Sequence, residues 1–353
     1  MASASDKRFL DLLGVFRGRK KLLIQTHNNP DPDAISSAVG LRYLFQRYTG
    51  RPARIAFGGI VGRAENRAML RYLKVRMIPG ERVDYREFDL IALVDTQPGF
   101  GYSAMPPDVV PQIVIDHHPP RADSIPAGVQ FAILEEGYGA SATIVGEILT
   151  RNRIPVPEEV ATALVFGIKT ETQDLGRDTS EADIAVYTQL YPLANKRLMS
   201  RIESERVPEN YFREFAKAIG NAVVYDTVVV SHLGEMEVPD MVAEMADFLL
   251  RLEGARWTFV TGSVGETLYV SVRASDENLS AGDAIVPALS GIGSCGGHAA
   301  MAGGQVPLAD ASDEERTRKQ ELIADRFLDA LKVKRTLRRS LVPSAEEKRN
   351  GSA

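Results

Sequence analysis

Short apolar runs alternating with amphipathic helical stretches predict an α/β protein whose N-terminal part is a mainly parallel sheet flanked by helices. Three observations carry that reading. The runs at 22–24, 90–94 and 113–115 are continuous rather than alternating, as strands buried on both faces are. Each is followed within a few residues by carboxylates or imidazoles and then by turn-forming residues. After residue 220 the rhythm changes to alternating strands with a tight Gly-Glu turn, which predicts a smaller α/β C-terminal domain with a mixed sheet. A chain of 353 residues exceeds the usual size of one core, in keeping with two domains. The expected division is 1–192 for the first domain, 193–215 for a linker, 216–335 for the second domain and 336–353 for a basic tail that is frayed and solvated.

In chain order, residues 1–20 read as a helix ending in a basic cluster, and 22–24 as the opening strand. From Ala34 the apolar residues Ile35, Ala38, Leu41, Phe45 and Tyr48 fall on one helical stripe. Strands are expected at 53–57, 89–94 and 112–115, and helices at 64–73, 141–151 and 157–168. Thr179 and Ser180 can cap a further helix with Asp183 in its first turn. In the second half, strands are expected at 222–231, 257–264 and 268–273, and helices at 241–253, from 281, and at 314–331. The stretch SGIGSCGGHAAMAGGQV between them is the most glycine-dense of the chain.

The bulk properties exclude several classes. A formal charge of −5 argues against a protein that grips long duplex DNA through a broad basic face. The single cysteine, Cys295, rules out an intramolecular disulfide and any cysteine-rich zinc site, and is read as a packing residue. No apolar run is long enough to span a bilayer, and the first ten residues lack the apolar segment of a secretory signal. A cytoplasmic location without membrane association follows as the default expectation, and a homodimer is left open.

The turn between the opening strand and helix carries His27, Asp31 and Asp33, with two prolines discouraging regular structure. Asp-Pro and Asn-Pro are also ordinary turn formers, so this segment alone does not decide for a metal. Asp95 directly follows the run at 90–94, and Asp116, His117 and His118 follow 112–115. Adjacent histidines are notable in a chain with five in total. The helix at 157–168 runs into Glu171 and Asp174, which compete as one further ligand. Strand ends of one open sheet share a rim, where α/β proteins place ligands. That many carboxylates at one place would repel one another without a cation. Imidazole plus carboxylate with no thiolate suits Mn²⁺, with Mg²⁺, Co²⁺, Fe²⁺ and Zn²⁺ as alternatives. Two ions about 3.5–4 Å apart would match the arrangement used for phosphate ester hydrolysis.

The segments THNNPDPDA, LVDTQ, IDHHP, GIKTET and CGGHAAMAGG together resemble the successive motifs of the DHH phosphoesterase family with its DHH-associated C-terminal domain. Among its members they look most like the nanoRNase and 3′-phosphoadenosine 5′-phosphate phosphatase proteins, relatives of the RecJ-like exonucleases. The resemblance covers about residues 20–330 and implies two manganese ions. On it, His27 and Asp31 would hold the first ion, Asp33 and His117 the second, and Asp95 would bridge. Glu171 stands where relatives usually have aspartate, which leaves Glu171 and Asp174 as alternative ligands of the second ion. His118 would face the substrate phosphate and Asp116 would support it. Arg273, Gly296, Gly297 and His298 would hold the far end of the substrate, through a guanidinium fork and a glycine loop. His232 has no motif around it and is read as structural.

The activity so implied is hydrolysis of short oligoribonucleotides or 3′-phosphoadenosine 5′-phosphate to nucleoside 5′-monophosphates, by water activated between the ions. A cleft between the domains would select for length. Cyclic-dinucleotide or pApA phosphodiesterase activity and a non-catalytic nucleotide sensor are the alternatives. Pyrophosphatase relatives share the first-domain motifs but carry a different second domain, so the CGGH segment counts against that activity.

Overall fold

The computed structural model describes residues 4–100, 103–120, 125–276, 278–298, 300–310 and 312–343, except for the side chains of residues 4–6 and 298. The chain divides into two units, Met1–Arg206 and Val207–Ala353.

The first unit runs α1 (Ala4–Phe16), β1 (Leu22–Asn28), α2 (Pro32–Thr49), β2 (Ala53–Gly58), α3 (Ala64–Tyr72), β3 (Met77–Pro79), β4 (Leu90–Val94), β5 (Ile113–Asp116), β6 (Phe131–Leu134), α4 (Ser141–Arg151), α5 (Glu158–Glu171), α6 (Glu181–Leu190) and α7 (Lys196–Glu203). Six strands among its described residues form one sheet in the order β3-β2-β1-β4-β5-β6, with every neighbouring pair parallel. The order reverses direction between β1 and β4, which opens the crevice at the carboxyl ends of those strands. β4 and β5 are buried along their whole length, as the unbroken apolar runs require.

Helix α2 is positioned before it is packed. Pro32 occupies its first turn, where the missing N–H costs nothing, and the Asp31 side chain accepts the Ala34 N–H at 3.0 Å as its N-cap. Gly50 at φ +64° ends it in the left-handed region. Its inner face packs against α4 and α5. A Cβ at Gly167 would come within 2.5 Å of Ser36 Oγ, so α5 reaches α2 at a distance only glycine allows.

The second unit contains α8 (Glu209–Gly220), β7 (Val223–Tyr225), β8 (Val228–Glu235), α9 (Asp240–Leu249), β9 (Trp257–Val264), β10 (Thr267–Ala274), α10 (Ala281–Leu289), β11 (Ser294–His298), β12 (Met301–Pro307), α11 (Asp313–Ala330) and β13 (Arg338–Ser340). Its sheet has the order β11-β12-β10-β9-β8-β7-β13 and is mixed, with β8 and β9 parallel and the other pairs antiparallel. No helix among the described residues is long and apolar enough to cross a membrane.

Several elements depart from the sequence-based expectation. β3 and β6 are strands of three and four residues, too short to announce themselves by period. The stretch 222–231 is a hairpin, because Asp226 takes φ +55° and reverses the chain between β7 and β8. Helices α7 and α8 occupy most of the segment expected as a linker. The tail is not frayed throughout, since Arg338–Ser340 pairs antiparallel with β7 and the Leu341 N–H reaches Ala222 O at 2.8 Å. The glycine-dense segment is a β11-β12 hairpin rather than a loop, with Gly296 opposite Gly303 and Gly297 opposite Ala302.

Candidate metal centre

Three adjacent strands, β1, β4 and β5, bring their carboxyl ends side by side. β1 ends in His27 and Asn28, and Asn29 at φ +56° turns the chain toward Asp31. β4 ends at Val94, and Asp95 adopts φ +56°, a left-handed conformation uncommon for a residue with a Cβ. Its N–H is held by Ile115 O at 2.8 Å. β5 ends in Asp116, with His117 and His118 beyond the pairing.

Asp95 stands at the centre. Its Oδ2 lies 3.4 Å from His27 Nε2, which is itself 3.6 Å from Asp31 Oδ2. Its Oδ1 lies 3.7 Å from His117 Nε2 and 3.9 Å from His118 Nδ1. Two sets of potential ligand atoms result, His27 with Asp31 and Asp95, and Asp95 with His117 and His118. Within each set the atoms lie within 4.8 Å of one another. Asp95 is common to both.

Asp33 is buried, and its two oxygens accept the Ser141 and Ala142 N–H groups, both at 2.7 Å. Its Oδ2 also lies 3.9 Å from His117 Nε2. Glu171, the last residue of α5, has an oxygen 3.5 Å from Arg177, whose guanidinium also donates to the Glu171 carbonyl at 2.8 Å. Asp174 is 75% exposed at its side chain and lies 3.3 Å from Lys169. The charges of Asp31 and Asp95 act on the Glu171 carboxyl.

Hydrogen bonds on the outer side of each imidazole decide what faces inward. His27 Nδ1 lies 2.8 Å from Asn28 O, and His117 Nδ1 lies 3.2 Å from Tyr138 O. A carbonyl can only accept, so in both rings Nδ1 carries the proton, and a neutral ring then turns an Nε2 lone pair toward carboxylates. His118 bonds instead through Nδ1 to Asp116 Oδ1 at 2.8 Å. The Gln97 amide donates to His118 O at 2.9 Å and steadies this turn.

This arrangement fits a divalent cation. His117 Nε2 is buried and makes no hydrogen bond, a costly state for a ring nitrogen unless something electrophilic meets it. The carboxylates are equally unsettled. Burial raises the Asp33 pKa well above the ordinary value, and the charges of Asp95, Glu171 and Asp31 add to the shift. Burial and the Asp31 charge likewise raise Glu171. Asp95 shifts the other way: burial pushes it up, but the hydrogen bond from His27 and the charges of the three histidines outweigh that and hold it low. Burial lowers His27, yet Asp31 and Asp95 raise it well above its ordinary value overall. A divalent cation would remove the repulsion that drives these shifts.

The residues expected at the far end of the substrate belong to the second unit. Arg273 is largely buried on β10, where its guanidinium donates to Asp247, to Ser271 Oγ at 2.8 Å and to Val272 O at 3.0 Å. Gly296 and Gly297 lie in β11. His298 ends that strand, and its side chain lies outside the described residues. His232 is mostly buried, its Nδ1 lies 2.6 Å from Thr261 Oγ1, and burial lowers its pKa to about 4.

Sequence reasoning missed Ser141 and Tyr138, which act on the site through a backbone N–H, a hydroxyl and a carbonyl. The start of α4 was visible as a helix boundary, but not its partners across the fold.

Residues 21–168 match the N-terminal domain of the DHH family, and residues 225–325 match the DHHA1 domain. The chain is 33% identical over 319 residues to an uncharacterised protein of Methanocaldococcus jannaschii, covering 89% of this chain and 64% of that protein. It is 29% identical over 183 residues to a probable manganese-dependent inorganic pyrophosphatase of Streptococcus agalactiae, covering 50% of this chain and 57% of that one. The chain thus spans less than two thirds of the length of either relative. Among solved structures, an exopolyphosphatase-related protein from Bacteroides fragilis shares the fold with a TM-score of 0.72 at 16% identity, over 94% of this chain and 100% of that one. RecJ in complex with Mn²⁺ from Thermus thermophilus gives 0.50 at 14% identity, over 91% of this chain and 54% of that one.

Proposed function

The chain carries the N-terminal domain of the DHH family with a DHHA1 domain behind it, and from that premise we propose that it is a divalent-metal-dependent phosphoesterase acting on short nucleotides. The observation that carries the proposal is the buried, unbonded Nε2 of His117 set among the carboxylates of Asp33 and Asp95. His27, Asp31 and Asp95 would hold one ion, and Asp33, Asp95, His117 and Glu171 a second, with Mn²⁺ the first choice for this donor set. Ions bound there supply the Lewis-acid charge that activates water and neutralises developing charge at phosphorus.

The chain's own groups would do the rest. Burial alone would lower the His118 pKa, but its bond to Asp116 and the Asp95 charge raise it to about 9. The His118 ring stands beside the cluster, 3.9 Å from Asp95, where it can meet a phosphate oxygen and hold it in line. Asp116 keeps the proton on Nδ1 and the ring in place.

Substrates of the proposed class are short oligoribonucleotides and 3′-phosphoadenosine 5′-phosphate, giving nucleoside 5′-monophosphates. The DHHA1 match favours these over pyrophosphate, because the similarity to the pyrophosphatase covers 50% of this chain. Arg273, Gly296, Gly297 and His298, in the second unit, are the proposed phosphate-binding residues.

The test is a panel of short RNA, pApA, cyclic dinucleotides, 3′-phosphoadenosine 5′-phosphate and pyrophosphate with manganese, scored by product identity. Turnover of short RNA or the bisphosphate, abolished in an Asp95→Ala, His117→Ala double variant, supports the proposal. Exclusive turnover of pyrophosphate overturns the substrate class. Binding of nucleotide with no turnover of any substrate identifies a sensor instead.

A further inference from the structure

We propose that Ser141 is the positioning residue that sets the spacing of the two carboxylates facing His117, and through them the affinity of the site for a divalent cation. The inference deepens the phosphoesterase reading at the same site.

Ser141 opens α4 and is fully buried. Its two donors go to two different aspartates. The backbone N–H bonds Asp33 Oδ2 at 2.7 Å, and the hydroxyl bonds Asp95 Oδ1 at 2.9 Å. These are the same two oxygens that face His117 Nε2, at 3.9 and 3.7 Å. One residue therefore ties both carboxylate oxygens on that side of the site to a single rigid point.

Asp95 needs such a tie. Its backbone sits in the left-handed region beyond the end of β4, so the pleat of the strand does not aim its side chain. The Ser141 hydroxyl has one proton to give, and committing it to Oδ1 leaves that oxygen's other lone pair for the direction of His117. The N–H groups at the start of α4 meanwhile favour the negative charge of Asp33.

The point is rigid because the preceding loop is pinned from its far side. Asp183, buried in α6, accepts the Gly139 N–H at 2.8 Å, the Ser180 N–H at 2.8 Å and the Ser180 hydroxyl at 2.6 Å. Its other oxygen accepts the Thr143 hydroxyl. A Cβ on Gly139 would lie 2.6 Å from Asp178 O and 2.8 Å from both Asp183 Oδ2 and Thr172 Cγ2, so the loop has no room to shift that way.

Removing the hydroxyl leaves the N–H bond to Asp33 in place, which separates positioning from folding. Groups that orient ligands in this way typically change metal affinity about 10–100-fold. The experiment titrates manganese into the full chain without substrate for wild type, Ser141→Ala, Ser141→Cys and Thr143→Val. Nitrogen-15 shifts of the His117 ring are recorded before metal is added. The two Ser141 variants pack differently but both lose the strong donor, and Thr143→Val removes a hydroxyl of the same turn that bonds Asp183 instead.

Expected are a 10–100-fold loss of manganese affinity and a moved His117 shift in both Ser141 variants, with Thr143→Val within about threefold of wild type and its shift unmoved. Wild-type affinity in either folded Ser141 variant overturns the proposal, as does an equal loss in Thr143→Val. If wild type binds no manganese, the phosphoesterase reading falls, and an unmoved His117 shift in both Ser141 variants would then overturn the positioning role separately. Metal binding without hydrolysis of any panel substrate would remove the activity and leave the role of Ser141 intact.

Discussion

His117 turns its Nδ1 onto the main-chain oxygen of Tyr138 at 3.2 Å, and this contact decides which ring nitrogen faces the acids. Nδ1 must carry the proton, so the Nε2 lone pair points toward Asp33 and Asp95. Asn28 does the same for His27. Two carbonyls thus fix which nitrogen of each imidazole faces the acids.

Asp95→Asn should disable both ligand sets together, because each includes this carboxylate. The expected outcome is loss of the bound manganese and a fall in kcat/KM of at least about a hundredfold, larger than for a change to a merely supporting group. Metal counting on the purified variant, alongside hydrolysis of short RNA, checks both halves.

Manganese should raise the unfolding temperature of the first unit. At a concentration a hundredfold above Kd, binding only to the folded state contributes about 2.7 kcal/mol, or roughly 5–10 °C for a unit of this size. Calorimetry with and without manganese measures it, and Asp95→Asn should show no such rise.

Gly139→Ala should destabilise the first unit by about 1–3 kcal/mol, since its Cβ would press on Asp178 O, Asp183 and Thr172 without room to relax. Chemical denaturation of the variant gives the difference directly.

His232 should make the second unit acid-sensitive. Its pKa is lowered by burial to about 4, against an ordinary 6.5, so the unfolded chain binds a proton that the native state refuses. The stability this neutral ring contributes is full above pH 6.5 and is lost as pH falls through 4, on the order of 3 kcal/mol in all. His232→Gln should flatten that limb, read as the pH dependence of the unfolding midpoint.

Ending the chain at Leu337 should loosen the β7 edge, because it removes the three residue pairs of β13 and the bond from Leu341 to Ala222. A loss of about 1–2 kcal/mol in the second unit is expected, measured by denaturation.

Much of the site was legible in the sequence. A continuous apolar run that stops at Asp95, and another that stops at Asp116 with His117 beyond, marks strands buried on both faces and places their next residues at one rim. The helical stripe after Asp31 marked α2, and Ser180 with Asp183 marked the start of α6. Those signals are local, carried by unbroken apolar runs, by the 3.6-residue helical period and by cap chemistry.

What only the tertiary structure decided is partnership across long separations. Ser141 reaches Asp95 across 46 residues and Asp33 across 108, and no period in the chain encodes such a bond. The same holds for Arg273, a substrate-holding arginine by resemblance whose guanidinium the fold sets against Asp247, and for Arg338–Ser340, a basic tail by composition that becomes an edge strand once β7 offers unpaired backbone groups. Composition and spacing determined which residues could do chemistry and which strand ends would carry them. Which of their atoms turn inward depended on hydrogen-bond donors and acceptors that meet only when the sheet and its helices have closed around them.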